Sequence, residues 1–196
     1  MVNGVMTYNA DKYRHKSIRL KGYDYTQQGA YFVTICTQDK KLLFSQIVDG
    51  NIILSEFGKI IENEWVKTGQ IRKNVIIDEY VIMPNHLHGI IIIENDYYNR
   101  RGTLMRADDC TPMCAKTESF GKPVSGSLPT IVRGFKSTTT KQINKSRNIP
   151  EMSLWQRNYY EHVVRNDDDL SETREYIINN PLKWELDKEN PFNIKQ

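Results

Sequence analysis

The sequence predicts an α+β chain with a ferredoxin-like βαββαβ sandwich, extended by an added C-terminal helix and interrupted by a long insertion loop. Three observations carry this expectation. Short segments rich in β-branched and aromatic residues recur at 30–37, 75–82 and 155–164 and in the isoleucine run that begins at His86. Apolar residues at helical spacing mark two stretches, 55–67 and 128–143. A cluster of acidic residues after Asn166 opens a last helix, so the order is strand, helix, strand, strand, helix, strand, helix.

Each element has its own justification. Ala30 to Thr37 (AYFVTICT) is the first strand, and Leu42 to Phe44 with Asn51 to Leu54 flank the turn Val48-Asp49-Gly50 as a short hairpin. Ser55 is the expected N-cap of a helix with Phe57, Ile60, Ile61, Glu64 and Trp65 on one face, running to about Lys67 before Gly69. Val75 to Ile82 and the strand from His86 enclose Met83-Pro84-Asn85, turn residues suited to a tight hairpin. Residues 96–126 lose all periodicity and gather Gly, Pro, Ser and charge, the signature of a mobile insertion. Beyond it Leu128, Ile131, Val132, Phe135 and Ile143 share one side of a helix, and Arg133, Lys136, Thr140 and Asn144 share another. Trp155 to Val164 (WQRNYYEHVV) is the fourth main strand, and Pro181 limits the terminal helix.

The bulk properties narrow the class. A chain of 196 residues at 39% hydrophobic and 26% charged suits a single domain over 1–196 with a real core. No segment approaches the roughly 18 uninterrupted apolar residues of a membrane helix, and the start lacks the apolar core of a signal peptide, so a soluble cytoplasmic protein without membrane partners is expected. Three cysteines, Cys36, Cys110 and Cys114, are an odd count that argues for a reducing compartment; the Cys110/Cys114 pair has no second pair to complete a zinc site.

Net charge is only +3, but it is unevenly placed. Residues 1–28 hold five Lys/Arg against two Asp, and residues 127–165 hold seven against two Glu. Two separated basic stretches suit a polyanion, and they also suit an ordinary solvated surface.

The stretch VIMPNHLHGIIIIEN (81–95) places two histidines at the entrance of an apolar strand. Successive strand side chains point to opposite faces, so His86, His88, Ile90 and Ile92 share one face and the imidazoles stand side by side. Neutral imidazoles so paired are competent metal ligands, although a histidine near a strand end is more often structural. In the terminal helix Glu172, Tyr176 and Asn180 recur at four-residue spacing and stack along one face. If that face meets the histidines, Asn180 can complete a metal site while Tyr176 points at what the metal holds. Tyr160 and His162 share a strand face and form a rival nucleophile and base, with no metal ligand tied to them by spacing.

The segments MPNHLHG (83–89), WQR (155–157) to Glu161-His162, YIINNPLKW (176–184) and SIRLKGYDY (17–25) together resemble the REP-associated tyrosine transposases, a single-tyrosine branch of the HUH nucleases. The likeness covers most of residues 15–186 and is absent from the insertion. It implies the HUH nuclease version of the ferredoxin-like fold, single-stranded DNA carrying hairpin-forming repetitive palindromes as substrate, and sequence-specific cleavage and rejoining through a covalent 5′-phosphotyrosine. Residue by residue, it implies Tyr176 as nucleophile, His86 and His88 as metal pair, and Asn180, where related enzymes can carry Gln, as third ligand.

That chemistry suits the residue types. A divalent ion neutralises the charge with which a phosphodiester repels nucleophiles, and a phenol with pKa near ~10 needs help to lose its proton. Imidazoles alone suit zinc or manganese and oxygen ligands suit magnesium or manganese; the resemblance favours Mg2+ or Mn2+. DNA contacts are expected from Arg19, Lys21 and Tyr23 in the first basic stretch and from Arg133, Lys136, Lys141, Arg157 and His162 in the second, with stacking by Tyr23 or Tyr25. Two other readings remain: a catalytically degenerate protein that binds DNA hairpins, and a metal-dependent phosphoesterase using activated water. The resemblance accommodates either a monomer or a homodimer.

Overall fold

A computed structural model describes residues 23–94, 124–149 and 152–193. Arg19, Lys21, Cys110, Cys114 and nearly all of the expected insertion lie outside them. The elements are β1 (Gly29–Cys36), β2 (Ser45–Val48), β3 (Asn51–Leu54), α1 (Glu56–Gln70), β4 (Val75–Ile82), β5 (His86–Ile93), α2 (Leu128–Arg147), β6 (Tyr160–Val164) and α3 (Asp167–Asn179). Four strands form an antiparallel sheet in the order β4-β5-β1-β6, and β2 with β3 forms a separate hairpin. With that hairpin set aside, this is the ferredoxin-like α+β arrangement followed by a terminal helix.

The sheet is buried on both faces, which explains why β5 reads as an almost unbroken apolar run. One face carries Tyr31, Val33, Ile35, Leu87, Ile91 and Ile93 into a core with Trp65 of α1 and Leu128, Ile131, Val132, Phe135 and Ile143 of α2. The other carries Phe32, Val81 and Ile90 onto Ile177 of α3. The alternation expected along β5 is thus realised, with the histidines on the α3 side. Arg174 of α3 pairs with Asp78 of β4 at 2.8 Å and anchors the helix to the sheet edge.

Local chemistry sets the helix starts. Ser55 Oγ accepts from the Gly58 amide at 3.0 Å and donates to the Leu43 carbonyl at 2.6 Å, capping α1 while tying it to the preceding loop. Asn166 accepts from the Asp169 amide, and three aspartates occupy the first turn of α3, where the helix dipole favours them.

Three boundaries differ from expectation. The hairpin uses 45–48 rather than 42–44, because the amides of Leu43 and Phe44 both donate to the Pro84 carbonyl and Phe44 is fully buried. Helix α1 runs through Gly69 to Gln70. The fourth sheet strand begins at Tyr160 rather than Trp155. Trp155 makes one isolated bridge to Thr37, and Lys136 Nζ donates to the carbonyls of Gln156 and Asn158 at 3.0 Å, so this stretch curls around an ammonium group instead of pairing. No helix among the described residues is long and apolar enough to cross a membrane.

Gly89 lies between the two layers of function and packing. A Cβ there would stand 2.5 Å from Cζ2 of the fully buried Trp65, so the indole closes on the strand only because position 89 has no side chain. Gly89→Ala is expected to destabilise the fold by about 1–3 kcal/mol through overpacking. Urea unfolding followed by tryptophan fluorescence measures this, and an unchanged midpoint would show that Trp65 moves aside without cost.

Candidate active site

The register of the sheet assembles the site. Val81, His88, Thr34 and Tyr160 are cross-strand partners in one row, Ile90, Phe32 and His162 in the next, and Cys36 faces His86. Paired residues on neighbouring strands share a face, so all the histidines expected to matter on β5 and β6 look toward α3.

His86 is fully buried and His88 is 3% exposed. Their Nε2 atoms approach to 3.0 Å, and each Nδ1 has a partner at 2.8 Å, Asn85 Oδ1 for His86 and Thr34 Oγ1 for His88. Asn85 fixes a tautomer. Its amide nitrogen donates to the Glu189 carbonyl at 2.7 Å, so its oxygen faces His86 and accepts from Nδ1, leaving the lone pair of His86 on Nε2. Thr34 is different: a hydroxyl donates or accepts, so it satisfies His88 with the proton on either nitrogen. Burial, reinforced for His86 by His88 and Lys40, holds both imidazoles well below their ordinary range, His88 at about 3. Both are neutral at physiological pH, the form that ligates metal.

Helix α3 brings Tyr176 to the pair. Its hydroxyl is 3.4 Å from His88 Nε2, and its ring meets His88 edge-on at 5.3 Å and Phe32 at 5.9 Å. Burial and the Asp187 carboxylate raise the phenol's pKa, and the Asn180 amide opposes them. Asn180, one turn on, is 4% exposed, and its Oδ1 is buried without a hydrogen-bond partner among the described residues. An orphaned carbonyl oxygen is costly in an interior and is accounted for if it faces a cation.

Asp187 was not anticipated. It follows the 3-10 segment Pro181–Leu186, and its Oδ2 lies 3.7 Å from His86 Nε2. His86, His88 and Asp187 offer ligand atoms all within 4.8 Å of one another. Atoms bound at about 2.1 Å to one ion stand some 3–4 Å apart, so the cluster has the dimensions of a divalent site. No spacing rule pointed to Asp187, because it lies beyond a proline break. The Asn85 bond to Glu189 and the Lys40 contacts to Lys188 O at 3.1 Å and Glu189 at 3.3 Å dock its segment.

The remaining expected residues divide. Arg133, Lys136, Lys141 and Arg157 line one groove of about 430 Å³. The amide of Gln156, in the same groove, donates to Cys36 O at 2.9 Å, and Cys36 pairs with His86, so the basic groove runs up to the histidine end of the sheet. Lys136 holds backbone carbonyls there as well as lining it. His162 bridges both oxygens of Asp169 at 3.0 Å. Tyr25 is 3% exposed and packs with Tyr23 and Tyr31, so it is not available as a stacking surface; half-buried Tyr23 belongs to the same cluster. Tyr160, the rival nucleophile, stands on β6, with β1 between it and His88.

The chain is 38% identical over 181 residues to an uncharacterized protein of Haemophilus influenzae, a match covering 92% of this chain and 96% of the relative. It is 30% identical over 165 residues to a second H. influenzae protein, assigned by name to the REP-associated tyrosine transposases, covering 82% of this chain and 74% of that one. The fold is similar to that of a REP-associated tyrosine transposase solved bound to a REP hairpin, with TM-score 0.50 and 19% identity over 84% of this chain and 73% of the other. No family model matches.

Asn85→Ala is expected to destabilise the protein by about 1–3 kcal/mol, because it strands the buried His86 Nδ1–H and the Glu189 carbonyl. Chemical denaturation reads the change; a stability within error of the parent protein would mean that the bond between Asn85 and His86 is not what orients the ring.

Proposed function

Because the chain belongs to the REP-associated tyrosine transposases, we propose that it cleaves and rejoins single-stranded DNA at hairpin-forming repeats through a 5′-phosphotyrosine on Tyr176, the whole of 1–196 acting as one domain. The observation that supports this reading above others is the meeting of the Tyr176 hydroxyl with His88 at 3.4 Å, at the edge of a buried cluster of metal-ligand type.

In this reading His86 and His88 hold a divalent ion through Nε2, with the orphaned oxygen of Asn180 and the Asp187 carboxylate as hard ligands that suit Mg2+ or Mn2+. The ion, when bound, neutralises the scissile phosphate and polarises phosphorus. Tyr176 Oη forms the new bond to phosphorus, the bond to the 3′ oxygen breaks, and that oxygen leaves as a 3′-hydroxyl after taking a proton. The phenol is held protonated by burial and by Asp187, so its proton departs as attack proceeds. Phe32 and His88 pack against the Tyr176 ring and limit its swing, which keeps the hydroxyl aimed at the cluster. The ester conserves the energy of the broken bond, so the same 3′-hydroxyl or another strand reverses the step. The basic groove of Arg133, Lys141 and Arg157 is the surface for phosphates of the hairpin.

The test is incubation of the protein with hairpin DNA from the flanks of its own gene, in Mg2+ or Mn2+, followed by denaturing electrophoresis for a covalent adduct. Tyr176→Phe is expected to abolish the adduct while hairpin affinity stays within about twofold, since one oxygen is lost. An adduct that persists in Tyr176→Phe moves the nucleophile elsewhere, Tyr160 being next; strand cleavage with no adduct would indicate attack by water.

Asp187→Asn is expected to weaken Mn2+ binding by about tenfold or more, with the circular dichroism spectrum unchanged. Depletion of the free-Mn2+ electron paramagnetic resonance signal measures this without reference to activity. Equal affinities would leave His86, His88 and Asn180 as the ligand set.

A further inference from the structure

Beside Tyr176 lies an open depression of about 290 Å³ between the edge strand β6 and α3. Phe32, Tyr160 and His162 line it from the sheet, and Asp169, Glu172 and Tyr176 from the helix. Of these, the mechanism above uses only Tyr176 and, as packing for its ring, Phe32. The volume lies at the lower edge of what drug-sized ligands occupy, which suits one planar ring system.

Its walls differ in kind. The sheet wall is aromatic: the Tyr160 ring is 55% exposed and stands edge-on to Phe32 at 6.2 Å, an open face on which a planar group can stack. The helix wall is acidic. Asp169 is already engaged, its oxygens taking His162 Nε2 and its Oδ2 the Arg165 amide, each at 3.0 Å. Glu172 is exposed, and among the described residues no hydrogen bond or ion pair holds its carboxylate. A phosphate would be repelled by two carboxylates here, so the backbone of a nucleic acid does not belong in this depression. A base does: its face meets Tyr160, and an exocyclic amine donates to Glu172. Position agrees with this. Tyr160 is separated from His88 by β1 alone, about two interstrand spacings or roughly 10 Å, so what fills the depression is a near neighbour of the group attacked by Tyr176.

We propose that this depression is a specificity subsite, in which Tyr160 stacks on an unpaired base flanking the scissile phosphate and Glu172 selects a base bearing an exocyclic amine over thymine. The inference rests on the DNA-cleavage reading given above, and the experiment separates the two. A pool of hairpin oligonucleotides with randomised single-stranded flanks is offered to the full-length Tyr176→Phe protein, retained complexes are sequenced, and the same pool is offered to the unmodified protein with covalent adducts sequenced.

At one flanking position the retained Tyr176→Phe pool is expected to favour adenine, cytosine or guanine over thymine by about tenfold. Adding Glu172→Gln, whose amide both donates and accepts, should reduce that preference to within about twofold and leave other positions unchanged. Tyr160→Ala should weaken binding by roughly tenfold and erase the preference, whereas Tyr160→Phe, which keeps the ring, should restore both. A preference that is absent, that favours thymine, or that is indifferent to Glu172 and Tyr160 overturns the subsite, even if the unmodified protein forms adducts. A preference that depends on both residues upholds it even if no adduct appears, and in that case it is the covalent reaction that fails.

Discussion

The described residues are arranged around a central strand that is buried on both faces yet must carry two imidazoles. Strand β5 lies between β4 and β1, with Trp65 closing on Gly89 from one side and Ile177 of α3 packing from the other. Polar atoms in such a position must be satisfied, and each ring is held through Nδ1 by a neighbour, Asn85 or Thr34. With Nδ1 occupied, each Nε2 is left pointing at the same small volume. The constraint that buries the histidines is therefore also what aims them.

The two supports are not equivalent. Asn85 is an amide committed by the Glu189 carbonyl to one orientation, so it dictates the His86 tautomer. Thr34 is a rotor that follows whichever tautomer His88 adopts. One ring is thus locked and its partner adapts, an arrangement that lets the pair share one proton at 3.0 Å or give both lone pairs to an ion. Asn85 also ties this pair to the C-terminal segment, so Asp187 reaches His86 through a contact made by the turn before β5.

Charge is divided by the same sheet. The α2 side carries the groove with Arg133, Lys141 and Arg157, while the α3 side carries Asp169, Glu172 and Asp187 around the tyrosine. The two meet where the Gln156 amide bonds Cys36, the partner of His86. In the proposed reaction a polyanion held in the first region would have its phosphates where charge is positive, and its unpaired bases beside aromatic rings and carboxylates.

Much of this was legible in the residues themselves. The period-two pattern through 86–93, the helical faces within 55–67 and 128–143 and the helix starts at Ser55 and Asn166 depend on local geometry, so sequence determined them, and with them the element order and the pairing of His86 with His88 on one face. The four-residue step from Tyr176 to Asn180 was local too. What only the tertiary structure decided depends on contacts across long separations. A lysine on α2 wraps residues 156–158 and shortens the last strand; Pro84 O captures 43 and 44 and displaces the hairpin. Asp187 joins His86 from beyond a proline-broken helix, and Glu172 comes to share a depression with Tyr160. Periodicity states which face a side chain takes on its own element. Which faces then meet is set by how the layers close around β5, and that is a property of the packed molecule.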